Sequence, residues 1–313
     1  RATSAILIAA ATATSAHAQA LDEPVPAEDK DQWEMFVTGG YIHQFETSPD
    51  NFDDFDVERF AAGLGLAKRL SEEFSVSLRF SYTLDMYDFG GGSNPFGGFP
   101  GGDPWDDINT FTSAVVFGWD LDDDWNIFGG AIIQSARESG AGWDHSWAGG
   151  GIVGASYLFT PELRLGGGLQ FFDEVGDDWK YIFIPVVEWK INDQWRVSTS
   201  STSMSSRLGV ALTGVELIYS PSQHWSFSLG FAQNYARFRL DDTGPAAGGV
   251  GKDESWPMWL RAVWNINETF QLDAVGGLLL GGQLDLYNSA SASVASADYD
   301  PAPFIGVFGA IRF

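Results

Sequence analysis

The chain has 313 residues, with 42 acidic against 17 basic side chains and a formal charge of −25. Such a surface offers no phosphate-neutralising stripe, which excludes nucleic acid as a partner. The absence of Cys rules out disulfides, thiolate metal centres and a Cys nucleophile, while 37 Gly and 15% aromatic against 19% charged residues favour one large β-structure over two soluble cores.

Residues 1–20, RATSAILIAAATATSAHAQA, place a basic residue before a short apolar stretch and small-residue sites at Ala16-His17-Ala18 and Ala18-Gln19-Ala20. This reads as a secretory signal peptide, truncated at its start because residue 1 is not Met. Residues 21–32, LDEPVPAEDKDQ, are Pro-rich and charged and are expected to form a flexible periplasmic leader. No later run of 18 apolar residues exists, so a helical span is excluded and a closed barrel remains the way to satisfy every backbone group in lipid.

From residue 33 onward, short polar turns recur between apolar-alternating runs: RLSEEFSV (69–76), WDLDDDWNI (119–127), YLFTPELRL (157–165), EWKINDQWRV (188–197), LIYSPSQHWSF (217–227) and VWNINETFQL (263–272). Clusters of Asp, Glu, Asn, Ser and Pro between such runs are turn chemistry, and their recurrence predicts hairpins. Strands are expected at 33–45, 57–70, 74–86, 108–121, 125–135, 145–159, 163–173, 179–191, 195–204, 208–219, 225–238, 255–266, 270–284 and 302–313. The even count of fourteen, with 12 and 16 as alternatives, predicts an all-β, transmembrane, antiparallel up-and-down β-barrel over 33–313. Period two is plain where Phe74, Val76, Leu78, Phe80 and Tyr82 alternate with Ser75, Ser77, Arg79, Ser81 and Thr83.

One end carries the tight turns; the other carries long segments at 46–56, 87–107, 239–254 and 285–301, which should face outward, since bacterial barrels have short periplasmic turns. Trp119, Trp125, Trp189, Trp195, Trp225 and Trp264 flank the tight turns and predict an aromatic girdle at the periplasmic interface. The closing PFIGVFGAIRF ends in Phe313. In this the chain resembles Gram-negative outer-membrane proteins, whose final Phe is read by the barrel-assembly machinery; outer-membrane lipid would be the other partner. Over about 179–313, the segments IPVVEWKINDQWRV, ELIYSPSQHWSFSLGF, NYARFRLDD, GVGKDESWPMWLRAVW and APFIGVFGAIRF are similar to an uncharacterised outer-membrane β-barrel family. That resemblance implies fold and location, and no activity.

The motifs for enzymes are weak. Gly149 to Gly154 matches G-x-G-x-x-G but continues into strand and turn, so close strand packing or a bulge is expected rather than a cofactor. Gly248 to Lys252 lacks the first Gly of a phosphate loop, at Ala246, and has Asp253 where Ser or Thr should hold magnesium. His43, His145 and His224 show no metal spacing, and no G-x-S-x-G occurs. No catalytic, cofactor or metal residue is assigned. A lipid hydrolase using a rim His43 or His145 is the least favoured reading.

The inward phase holds Arg59, Arg79, Asp85, Arg164, Lys180, Glu188, Lys190, Arg196, Glu216, Arg261, Asp273 and Arg312. Two readings stay open: a charged pore lining for passive passage of small solutes, or a salt-bridge network filling a closed structural barrel. The acidic runs Asp50 to Asp56, Asp103 to Asp107 and Asp298 to Asp300 offer oxygen ligands for diffuse binding of divalent cations.

Overall fold

The computed structural model describes residues 33–49, 54–90, 103–176, 179–199, 213–244 and 246–313. The signal peptide, the leader, most of 50–56 and 87–102, and the strand ends expected at 200–204 and 208–212 lie outside the described residues. The strands are β1 Glu34–Thr47, β2 Phe55–Arg69, β3 Phe74–Phe89, β4 Ile108–Asp120, β5 Trp125–Glu138, β6 Trp147–Thr160, β7 Leu163–Phe172, β8 Lys180–Lys190, β9 Trp195–Ser198, β10 Thr213–Tyr219, β11 Trp225–Arg239, β12 Val250–Asn265, β13 Phe270–Tyr287, β14 Ser293–Tyr299 and β15 Ala302–Arg312.

Each strand pairs antiparallel with its neighbour, and β15 closes on β1 from Phe36 opposite Arg312 to Gln44 opposite Phe304. β14 and β15 continue one register on β13, with Tyr299 opposite Gly282 and Ala302 opposite Leu279. The break falls at Asp300 and Pro301, where Pro has no N–H for the ladder, so fifteen segments make a closed barrel of fourteen staves. Two segments read as long outer loops are partly strand: β12 begins at Val250 and β14 occupies Ser293–Tyr299. Their Gly, Asp and Ser content hides the pairing, because these extensions bury their inner face against other loops and not against lipid. At this outer end β11 also meets β5 at Arg239 and Arg137.

The repeated turns share one mechanism. Asp122 Oδ1 accepts the backbone N–H groups of Asp124 and Trp125, Asn192 those of Gln194 and Trp195, Asn267 those of Thr269 and Phe270, and Ser71 those of Glu73 and Phe74. The short polar side chain replaces a backbone acceptor and leaves an aromatic residue as the first of the next strand. These aromatics project outward. Trp225 stacks on Trp264 at 5.7 Å, while Trp195 packs tilted against Tyr219 at 4.7 Å and Trp125 against Tyr157 at 5.0 Å. Trp119 and Trp189 are likewise exposed on the outer face. A second outward set at the other end joins Tyr41 to Phe60, Tyr82 to Phe111, Trp143 to Trp147 and Phe231 to Trp256.

On β4, Phe111 and Trp119 share the outer row eight residues apart, about 26 Å at roughly 3.3 Å per residue. With strands tilted by about 40°, this spans about 20 Å of membrane normal, near the apolar band of about 25 Å. Val115 lies midway on that row. Val115→Arg should therefore lower the folding free energy in bilayers by about 2 to 4 kcal/mol, and Leu121→Arg, in the turn, by about 0 to 1. Refolding titrations in vesicles check the contrast, and equal costs at the two positions would refute this placement of the membrane.

Candidate functional site

The interior is divided into apolar and charged zones. Its outermost part is an apolar cluster that includes Phe55, Tyr87, Phe89, Trp105, Phe238 and Tyr299. Trp105 comes from the connection between β3 and β4, folds inward and is 2% exposed. Its ring meets Tyr87 and Phe89 edge-on at 5.6 Å and Phe238 at 5.1 Å. The connection is fixed by Glu138, the last residue of β5, whose Oε1 accepts the Asp106 N–H at 2.7 Å and whose Oε2 accepts the Asp241 N–H at 2.8 Å. One carboxylate thus ties two outer connections together over the barrel mouth. In the same connection, burial and the neighbouring Asp106 raise the carboxyls of Asp103 and Asp107 above the ordinary range, with Asp88 adding to the effect at Asp103.

Beneath the aromatic cap, Arg59 and Asp85 form an ion pair at 2.5 Å, and Asp253 accepts the Tyr87 and Tyr299 hydroxyls at 2.9 and 3.0 Å. On the far wall Glu216, 0% exposed, accepts Ser228 Oγ, Trp259 Nε1 and Arg261 Nη2 at 2.8, 3.0 and 3.0 Å. Arg261 Nη1 reaches Asp273 at 3.4 Å. The Trp259 indole fits because it lies over Gly230, where a Cβ would meet ring atoms at 2.2 Å. Phe128 likewise lies over Gly154. The glycines of the G-x-G-x-x-G stretch thus sit in strand β6, and Gly154 admits a cross-strand aromatic ring.

A further polar group flanks the outer ends of β11 to β13. The segment after β7 turns in so that Glu174 accepts the Tyr235 hydroxyl at 3.1 Å and Arg237 donates to the Val175 carbonyl at 2.7 Å. Lys252 bridges Glu254 and Asp285 at 2.7 and 3.1 Å. A small, mainly apolar cavity lies between this segment and the inner wall, lined by Ile132, Gln134, Ala148, Phe172, Val175 and neighbours.

The twelve inward charged residues read from the sequence do not form one continuous row. Arg59 joins Asp85, and Glu216 joins Arg261 and Asp273. Arg164 faces Glu188 across β7 and β8 and reaches Ser156 at 3.3 Å, while Glu188 accepts the Ser198 hydroxyl. Arg79 lies over the Phe36 ring at 5.4 Å. Lys180 is half-buried at the outer end of β8. Lys190, bound to Asp193 at 3.1 Å and paired with Arg196 across the turn, lies at the tight-turn end of the barrel, as does the exposed Arg312. Trp105, Glu138, Glu174, Arg237, Lys252 and Asp253 are residues that sequence reading missed. Their signal was the Trp and the charges inside segments read as loops and, for Arg237, a charge near the end of the strand expected at 225–238.

His43 faces outward against Phe45, His145 is exposed with φ of 63°, and His224 Nδ1 is 3.1 Å from the Asn265 carbonyl at the opposite end. No group of three or more potential metal-ligating side chains occurs among the described residues.

No family model matches the chain, and no curated protein matches it in sequence. Solved structures match the fold. A FadL homologue of Pseudomonas aeruginosa aligns at TM-score 0.51 and 10% identity, over 90% of each chain. An outer membrane channel of Pseudomonas putida F1 aligns at 0.48 and 10% identity, over 92% of this chain and 100% of that one. The P. putida toluene transporter TodX aligns at 0.46 and 7%, over 95% and 92%. At these identities the likeness is one of fold, that of an outer-membrane-type β-barrel.

The charge cluster on the far wall is testable alone. Arg261→Met leaves Glu216 and Asp273 buried without their cation and should destabilise the barrel by about 3 to 5 kcal/mol. Adding Glu216→Gln and Asp273→Asn should recover much of that loss in urea unfolding from vesicles.

Proposed function

We propose that the chain is a passive transport barrel in the outer membrane of a Gram-negative bacterium, closed at its outer end by a loop cap and serving small solutes of low net charge. Phe313 ends the closing strand in the manner read by the assembly machinery, and lipid surrounds the aromatic-bounded face. The observation that carries the reading is the form of the closure. Among the described residues a loop-borne indole, Trp105, packs into the apolar cluster at the mouth, and its connection is held in part through the Asp106 N–H on Glu138, an arrangement that can part without breaking the strand ladder.

The solute class follows from the interior. Arg59 faces Asp85, Arg261 faces Glu216 and Asp273, and Lys252 faces Glu254 and Asp285, so each of the two triads carries one carboxylate in excess. An interior with carboxylates in excess disfavours anions, and the apolar walls between these groups suit uncharged or amphipathic molecules. A closed structural barrel is the second reading, favoured by how completely these charges satisfy one another.

Planar-bilayer recording with Trp105→Ala separates the two. Removing the indole should raise single-channel conductance several-fold over the unsubstituted barrel and speed liposome swelling in small uncharged sugars. Absence of steps and of swelling in both proteins would select the structural barrel.

A further inference from the structure

Glu138 stands three residues beyond Ser135, which pairs with Phe111 at the outer aromatic margin, so its carboxylate lies outside the apolar band. It is 6% exposed, both of its oxygens accept backbone N–H groups, and no cation acts on it among the described residues. The two donors belong to aspartates, Asp106 on the β3–β4 connection and Asp241 in the β11–β12 hairpin, so closing the mouth buries one carboxylate between two acidic residues. Around this junction stand also Asp88, Asp103, Asp107 and Asp242. Two arginines come close and are engaged elsewhere: Arg137 lies over the outward Trp143 ring at 4.0 Å and donates to the Ala141 carbonyl, and Arg239 lies with Asp242 beside Gly248. Asp144 and the exposed His145 follow in the β5–β6 connection.

We propose that this junction is a proton-operated latch: protonation of Glu138 and its neighbouring aspartates holds the cap shut, and their ionisation loosens it. In the closed state burial raises the Glu138 carboxyl above its ordinary range, the Asp241 and Asp106 N–H bonds pull it part of the way back, and the charges of the same two residues raise it again. Asp103 and Asp107 are raised likewise, by burial first and then by Asp106. Once the connection swings out, water restores ordinary values, so the closed state holds protons more tightly than the open one. The latch is therefore fully engaged below the ordinary carboxyl range and is released as pH rises through the raised values. The Ser139 N–H on the Asp107 carbonyl, at 2.7 Å, has no titratable member and keeps the connection tethered as it opens. The inference deepens the transport reading by naming what regulates the cap, and it is measured without any solute.

Hydrogen exchange of the full chain refolded in vesicles tests the latch, read by mass spectrometry on peptides covering 103–108 and 239–244, with each rate divided by the intrinsic rate at that pH. Protection should be severalfold greater at about pH 5 than at about pH 8, with no such step over 225–231 in the β11 ladder. Glu138→Gln, which imitates the protonated acid at every pH, should raise protection at the higher pH towards the value of the unsubstituted protein at the lower one, and so shrink the step. Asp103→Asn with Asp107→Asn should also shrink it, and serves if Glu138→Gln does not refold. No step, greater protection at the higher pH, an equal step over 225–231, or a step undiminished in the variants would overturn the proposal. A step without conductance in any protein, Trp105→Ala included, would defeat the transport reading and not this one, whereas conductance without a step would do the reverse.

Discussion

Hydrocarbon offers backbone N–H and C=O groups no water, so every strand in it needs a hydrogen-bonded neighbour on both sides. In this chain the requirement is met by the seam between β1 and β15, which turns a fourteen-stave sheet into a cylinder without edges. The remaining architecture follows from that closure. Strand parity assigns one row to lipid and one to the interior. The short side-chain-capped turns fix that parity at one end, and outward aromatics lie at both margins of the apolar band.

Closure creates an interior that must be filled or wetted, and the fill is built from two devices. Aromatic rings lie across glycines on adjacent strands, as Trp259 does over Gly230 and Phe128 over Gly154. Charged side chains stand in compact pairs and triads such as Glu216, Arg261 and Asp273. Removing one member of such a group leaves a buried charge without compensation, so the groups resist piecemeal change. The outer end is different in kind: the described part of its cover is held by Glu138 on the Asp106 N–H and by the Ser139 N–H on the Asp107 carbonyl, and a connection can move where a ladder cannot.

The barrel was legible because period-two alternation and the Leu121-Asp122 to Trp125 type of turn are local. The side chain that caps the turn, the aromatic after it and the outward row all lie within one hairpin. The pairing of Arg59 with Asp85 was half legible, since parity places both inside and only the register brings them together. The cap was not legible. Trp105 sits among Gly, Pro and Asp in a segment whose composition signals a solvated loop, and its burial depends on Phe238 and Tyr87, far away in sequence. Asp253 and Lys252 were hidden for the same reason, inside a strand extension read as loop.

On the proposed transport function, small uncharged molecules reach the barrel interior past the outer cap. Because the chain has no Cys, a single thiol at Ala114→Cys, facing inward at mid-barrel, can be timed against Val115→Cys on the lipid row. With the protein in sealed vesicles, the account predicts slow labelling of the inward thiol by a small uncharged maleimide, faster labelling when Trp105 is also Ala, and exclusion of a bulky charged maleimide. An inward thiol that stays unlabelled by the small reagent, with the cap present or absent, would contradict it.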